Sequence, residues 1–116
     1  MDLQITYETL FDLLRKERSL DELQELDTHF WYHVVDYLKE RESKASSASA
    51  IEQEKTRIQL KNIKKIIRDI YERRERKILQ LAVNIVRTEN IGFVDTKSML
   101  AEEKRLFDDA TGLLNQ

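Results

Sequence analysis

Two histidines have the residue type and spacing of a candidate metal site. His29 and His33 are four positions apart, so two imidazoles on one side of a helix would be able to share a zinc ion. Phe30 stands where a metalloprotease motif needs a glutamate, and the chain has no cysteine to supply thiolate ligands. We therefore expect two histidines at the edge of the core, and no metal site.

Other residue patterns that support catalysis are also missing. The chain has two isolated glycines, which cannot form a glycine-rich phosphate loop. Its neighbouring acidic residues, Glu102-Glu103 and Asp108-Asp109, are typical of a solvated helix surface. No pattern in the sequence indicates a catalytic nucleophile paired with a general base. We expect a protein that is not an enzyme and that uses no cofactor.

Arg74 stands where helical periodicity requires an apolar side chain, one turn from both Ile70 and Ile78. The apolar stripe that contains it comprises Leu60, Ile63, Ile66, Ile67, Ile70, Tyr71, Ile78, Leu81, Ala82 and Ile85. A guanidinium keeps its charge and is costly to bury alone. Either Arg74 reaches the surface on its aliphatic stem, or it meets a carboxylate or helix-terminal carbonyls. We predict the second, within the chain or across a subunit interface.

The composition predicts helices that position these residues within one domain, residues 1–116. Proline is absent, glycine is rare and 36% of the residues are charged, which favours an all-α fold. Thr6 is predicted to cap the first helix, Asp27 the second, and Asp95 or Thr96 the last. The predicted fold is a helical bundle of about four to five helices around one long central helix. Its expected core comprises Phe11, Leu14, Trp31, Val35, Leu38, Ile63, Ile67, Ile70 and Phe107.

The long helix is predicted from about Ile51 to Thr88, which corresponds to roughly 55 Å. Ser43–Ala50 contains only serine, alanine and one lysine, so it is either a flexible loop or a solvated helix extension, and we favour the loop. Glu89–Val94 is predicted to be a turn. The end of the long helix is apolar almost all round, so either the other helices wrap it or a second chain covers its far side; the second alternative predicts a subunit interface. The residues assigned to that interface are Arg74, Ile78, Leu79, Ala82, Val83 and Val86.

Charge is unevenly distributed along the chain. Residues 52–88 hold 11 basic and 5 acidic residues, whereas both flanking segments are acidic. Acidic neighbours that pack on a basic helix would neutralise it within the molecule. The alternative is a nucleic-acid-binding helical domain that uses phosphate contacts. Its candidate residues are Lys61, Lys64, Lys65, Arg68, Arg73, Arg76 and Lys77.

Four segments, in this order along the chain, resemble the helical domain of the GINS family, the subunits of a tetrameric replication factor. The long helix carries the segment IRDIYERRERKI, residues 67–78, which is similar to the long-helix motif of that family. The other three segments are ITYETL at residues 5–10, LQEL with the following FW pair at residues 23–31, and MLAEEKRLF at residues 99–107. None of these motifs is specific alone, but their order covers nearly the whole chain.

The resemblance implies a non-catalytic structural subunit that joins other GINS subunits in a homo- or hetero-tetramer. It implies scaffolding of the MCM helicase and its RecJ-like or Cdc-type partner, with links to polymerase or primase. An archaeal, cytoplasmic and nucleoid-associated protein is expected, or a nuclear one if the source is eukaryotic. The family's β-rich domain, expected C-terminal, has no counterpart here, and Asp27 replaces a frequent proline. We therefore expect an isolated helical domain; a generic helical adaptor is a further alternative.

Overall fold

The computed structural model describes residues 4–46, 49–88 and 95–116. It is an all-α helical bundle, as the sequence predicts, and no strand occurs in these three ranges. The helices are α1 (Tyr7–Ser19), α2 (Phe30–Ser46), α3 (Ala50–Thr88) and α4 (Ala101–Leu114). The molecule measures 59 × 25 × 25 Å, and its length is set by the 39-residue helix α3.

The first helix begins at its predicted cap, Thr6. The Thr9 backbone N–H donates to the Thr6 hydroxyl at 3.1 Å, and the Thr6 N–H donates to the Thr9 hydroxyl at 2.8 Å. These reciprocal bonds satisfy amide donors that the first turn of α1 leaves without helical partners. The second helix begins later than predicted: the Asp27 carboxylate accepts the His29 N–H at 2.8 Å, but this bond belongs to a turn that precedes α2, which starts at Phe30. The chain between the two helices is a non-helical connector, residues 20–29.

Helices α1, α2 and α4 each pack against α3. The contacts show that α2 is antiparallel to α3, because Trp31 contacts Tyr71 whereas Glu42 pairs with Lys64. Two apolar clusters form where these helices pack along α3. The first contains Leu10, Leu14, Phe30, Val34, Ile63, Ile66, Ile70 and Leu100, and the second contains Ile78, Ala82, Ile85 and Phe107. Arg74 lies between the two clusters in the sequence of α3.

The expected core is correct for Leu14, Ile63, Ile70 and Phe107, which are buried, but wrong at two positions. Phe11 is 47% exposed and Val35 is 46% exposed, whereas the residues preceding them, Leu10 and Val34, are almost completely buried. The remaining three, Trp31, Leu38 and Ile67, are half-buried. Each of the two short helices has a wide apolar arc, and the orientation in which it docks on α3 selects the residues within that arc that become buried.

The favoured loop at Ser43–Ala50 is largely wrong. Ser43–Ser46 continues α2, and Ala50 is the first residue of α3. Serine and alanine are compatible with a helix, so the solvated helix extension is the better description of this part. Within the predicted segment, Ser49 is non-helical and its hydroxyl accepts the Glu52 N–H at 3.3 Å. Residues 47–48 lie outside the described residues.

The last helix begins later than Asp95 or Thr96. The Asp95 carboxylate accepts the Lys97 N–H at 3.0 Å, but this bond belongs to a turn that precedes α4. Helix α4 starts at Ala101, where the Glu103 carboxylate accepts the Leu100 N–H at 2.9 Å. Its N-cap residue is therefore Leu100, whose N–H is satisfied by the glutamate in the first turn. The predicted turn at Glu89–Val94 lies outside the described residues.

Candidate functional site

Arg74 is completely buried, and every N–H of its guanidinium has an acceptor. Its Nε donates to Glu103 Oε2 at 2.8 Å, and its Nη2 donates to Glu103 Oε1 at 2.7 Å and to the Ser98 carbonyl at 3.0 Å. Its Nη1 donates to Glu17 Oε2 at 2.6 Å and to the Gln24 carbonyl at 2.7 Å. The prediction that Arg74 is buried and meets carboxylates and carbonyls is confirmed within the chain.

The two carboxylates are also fully engaged. Glu17 is buried, and its second oxygen accepts Lys77 Nζ at 2.6 Å. Lys77 Nζ donates in addition to the Glu22 carbonyl at 3.0 Å. Glu103 makes a bidentate pair with Arg74 and caps α4 through Leu100. Because a buried charge is tolerated only when it is paired and hydrogen-bonded, these contacts explain how the network stays inside the bundle. We call this set of residues the Arg74 network.

The Arg74 network joins five parts of the chain. Glu17 belongs to α1, Gln24 to the connector, Arg74 to α3, Ser98 to the segment before α4, and Glu103 to α4. Bonds from one planar guanidinium fix these parts at defined distances from each other. The network therefore determines how α1, the connector and α4 are placed on α3.

Sequence reasoning did not single out Glu17, and its placement of Glu103 on a solvated surface is wrong, because that side chain is only 13% exposed and pairs with Arg74. A signal for Glu17 exists in the sequence, because Leu10, Leu14 and Glu17 share one face of α1 at helical spacing. A carboxylate that continues an apolar stripe is the acidic counterpart of Arg74 in α3. Glu103 has a weaker signal, since its position in the first turn of α4 is evident only once the start of that helix is known.

Burial and pairing act on the Arg74 pKa in opposite directions. Removal from water lowers the pKa of the guanidinium and is the largest single influence. The hydrogen bonds and negative charges of Glu103 and Glu17 together outweigh it, so the pKa lies above the ordinary value for arginine. Arg74 stays charged, and since its donors and both carboxylates are already paired, the Arg74 network is suited to holding structure rather than to binding a substrate.

The histidines are not drawn together with other metal ligands. His29 contacts the Tyr32 ring edge-on, at 6.2 Å between ring centroids, and His33 Nε2 lies 3.4 Å from Asp27 Oδ1. Among residues 4–46, 49–88 and 95–116, no group of three or more histidine, cysteine, aspartate or glutamate side chains is arranged to hold a metal ion. The two imidazoles lie in exposed and half-buried positions at the start of α2.

The residues assigned to a subunit interface divide into two groups. Arg74, Ile78 and Ala82 are buried inside this chain, so their side chains offer no surface to a second chain. The other three are Leu79, which is 38% exposed, and the half-buried Val83 and Val86. Each of these follows a buried residue of α3 and is therefore turned by about 100° from the buried stripe. We call Leu79, Val83 and Val86 the α3 apolar flank, and its role as an interface stays a prediction.

The basic residues assigned to nucleic-acid binding do not form one surface. At about 100° per residue, Lys61, Lys64, Lys65 and Arg68 share an arc of about 100° on α3, with Arg76 at its edge. Arg73 and Lys77 lie more than about 100° away from the centre of that arc. Lys77 is held by Glu17, and Lys64 pairs with Glu42 at 3.3 Å. Acidic neighbours thus neutralise part of the basic helix.

Comparison with known proteins leaves the family open. No protein-family model, curated protein or solved structure matches this chain. The similarity to the GINS helical domain therefore rests on the order of the four sequence segments. A separate property concerns membranes: none of the helices in the described ranges is both long enough and apolar enough to cross one.

Proposed function

We propose that this chain is a non-catalytic structural subunit of the GINS DNA replication complex. The observation that carries the proposal is the Arg74 network. Its central arginine and Lys77 come from the segment at residues 67–78 that is most similar to the GINS long-helix motif, and the network bonds this segment to four other parts of the chain. Two charged residues of that motif, Arg74 and Lys77, thus have a structural role in holding the bundle together.

A scaffolding role needs surfaces that keep fixed relative positions. A bidentate arginine–glutamate pair is directional. Together with the bond from Arg74 to Glu17 and the apolar clusters on both sides of Arg74, it limits sliding of α1 and α4 along α3. We propose that this rigidity holds partner surfaces in register. The partners are the other GINS subunits, the MCM helicase and its RecJ-like or Cdc-type factor, with polymerase or primase linked through the complex.

The α3 apolar flank is the proposed contact with another GINS subunit. Stable interfaces bury on the order of 800 Å² per partner and have an apolar centre. Leu79, Val83 and Val86 lie near one end of the 59 Å molecule and offer such a centre. Polar side chains of the same helix, such as Gln80 and Asn84, are available for a rim.

Assembly measurements test the proposal directly. The chain is co-expressed with a candidate GINS subunit from the same genome, and the mass of the product is measured by size-exclusion chromatography with light scattering. We expect a tetramer, which Leu79→Glu reduces to smaller species. Gln59→Glu is the matched control, because it adds the same charge at an exposed position of α3 about 30 Å away from Leu79. A chain that stays monomeric at high concentration, both alone and with that subunit, would refute the proposal.

A second candidate function, nucleic-acid binding, is favoured by one observation. Lys61, Lys65 and Arg68 share the outer arc of α3, and no ion-pair partner for any of them occurs among the described residues. A fluorescence anisotropy titration with single-stranded and duplex DNA at low salt tests this function. Binding that falls steeply as salt rises, and that weakens in Lys65→Gln, would support it. A flat titration would exclude it.

A further inference from the structure

A cleft of about 350 Å³ opens between α2, α3 and α4. Two aromatic residues, Trp31 and Tyr71, form part of its lining, and Leu106 supplies accessible aliphatic surface beside the buried Ile78. Glu75 and Glu102 also line it. The volume is at the small end of the range for ligand pockets, about 300–1,000 Å³, and suits one long side chain better than a helix.

The walls of this cleft are held in place by contacts between different helices. Trp31 and Tyr71 meet edge to face, with ring centroids 6.2 Å apart and planes inclined by 64°. Glu103, which also borders the cleft, is fixed by its bidentate pair with Arg74. A ligand that enters therefore meets a surface that is already ordered, which lowers the entropic cost of binding.

The cleft has a negative charge that the chain does not balance locally. In the part of the chain that the structure describes, neither Glu75 nor Glu102 has an ion-pair partner. The hydrogen bond to Glu75 and its charge raise the pKa of the Tyr71 hydroxyl, with smaller contributions from burial and from Glu103. The carboxylates that raise this pKa would also attract a cation placed in the cleft.

We propose that this cleft binds an arginine side chain presented by an extended segment of a partner protein. The aliphatic stem would pack on Leu106, while the guanidinium would lie against the aromatic rings and pair with Glu102, because Glu75 already accepts the hydrogen bond of Tyr71. Arginine fits better than lysine because its planar, weakly hydrated head stacks on aromatic rings. The aromatic and aliphatic walls are independent of the carboxylates, and together they select a side chain that is long, apolar along its stem and cationic at its end.

The chain has a built-in reporter for this proposal, because Trp31 is its only tryptophan. Tryptophan fluorescence is titrated with a short capped peptide that has one arginine between leucine and glycine residues. The comparison peptide contains citrulline, which has nearly the same shape as arginine and no charge. We expect a saturable change in fluorescence with the arginine peptide and a much weaker response with the citrulline peptide.

Two variants locate the binding. Glu102→Gln should weaken binding of the arginine peptide about fivefold, as expected for loss of one partly exposed cationic contact. Glu72→Gln is the control, because Glu72 is an exposed glutamate of α3 outside the cleft. This variant should bind the arginine peptide with unchanged affinity. Equal affinity for the two peptides, no saturation by about 5 mM, or an unchanged affinity in Glu102→Gln would each overturn the proposal. The titration uses this chain alone, so its outcome is separate from assembly with GINS subunits.

Discussion

Replacing Arg74 by methionine should destabilise the fold far more than the same change at Arg73. Methionine retains much of the aliphatic stem but removes every N–H donor of the guanidinium. Among the described residues, Glu17, which is fully buried, would keep Lys77 as its only partner, and Glu103 would keep the Leu100 N–H. The carbonyls of Gln24 and Ser98 would lose the donors that Arg74 gives them.

The expected loss follows from these uncompensated groups. Breaking a buried ion pair from one side costs about 3–5 kcal/mol, because the remaining charge is left without its partner. For a domain of this length, about 1 kcal/mol corresponds to a shift of roughly 4 °C in the unfolding midpoint, so Arg74→Met should lower Tm by roughly 12–20 °C. Arg73 is half-buried with no ion pair among the described residues, and Arg73→Met should change stability by no more than about 0.5 kcal/mol.

Thermal unfolding followed by circular dichroism, together with urea unfolding, measures both variants. A double-mutant cycle adds a second check on the pair. Since Glu17 and Arg74 are in contact, Glu17→Gln combined with Arg74→Met should be less destabilising than the sum of the single changes, by about 0.5–3 kcal/mol. Equal Tm values for Arg74→Met and Arg73→Met, or strict additivity with Glu17→Gln, would refute the assigned role of the Arg74 network.

Three further predictions concern the rest of the bundle. Ile70→Ala should lower the free energy of unfolding by about 2–5 kcal/mol in urea titrations, whereas Ile51→Ala, at a position that is 72% exposed, should have little effect. Lys77→Met should cost less than Arg74→Met, about 1.5 kcal/mol by the same titration, because Lys77 is partly exposed and Arg74 still pairs with the shared carboxylate. Hydrogen exchange measured by NMR should be faster at residues 43–46 than at residues 66–85, since exposed helix ends open more easily than buried ones; slow exchange at residues 43–46 would contradict this.

Composition predicted the class of fold, and helical periodicity placed Arg74 on the stripe that becomes buried. The spacing of Ile70, Arg74 and Ile78 puts all three on one stripe, and this relation depends only on the geometry of a single helix. The cap at Thr6 was equally predictable, because a capping residue acts on backbone groups two or three positions away. Such features are local, so they need no knowledge of what lies across the bundle.

The tertiary structure decided which residues satisfy Arg74 and which face of each short helix is buried. Glu17 and Glu103 are 57 and 29 positions from Arg74 in the chain, and the segments on both sides of the long helix contain other acidic residues. Likewise, Leu10 rather than Phe11 became buried only through the orientation of α1 on α3. The physical reason is that these contacts depend on how whole helices are placed relative to each other. That placement is determined together by the packing of both apolar clusters and by the pairing of the buried charges.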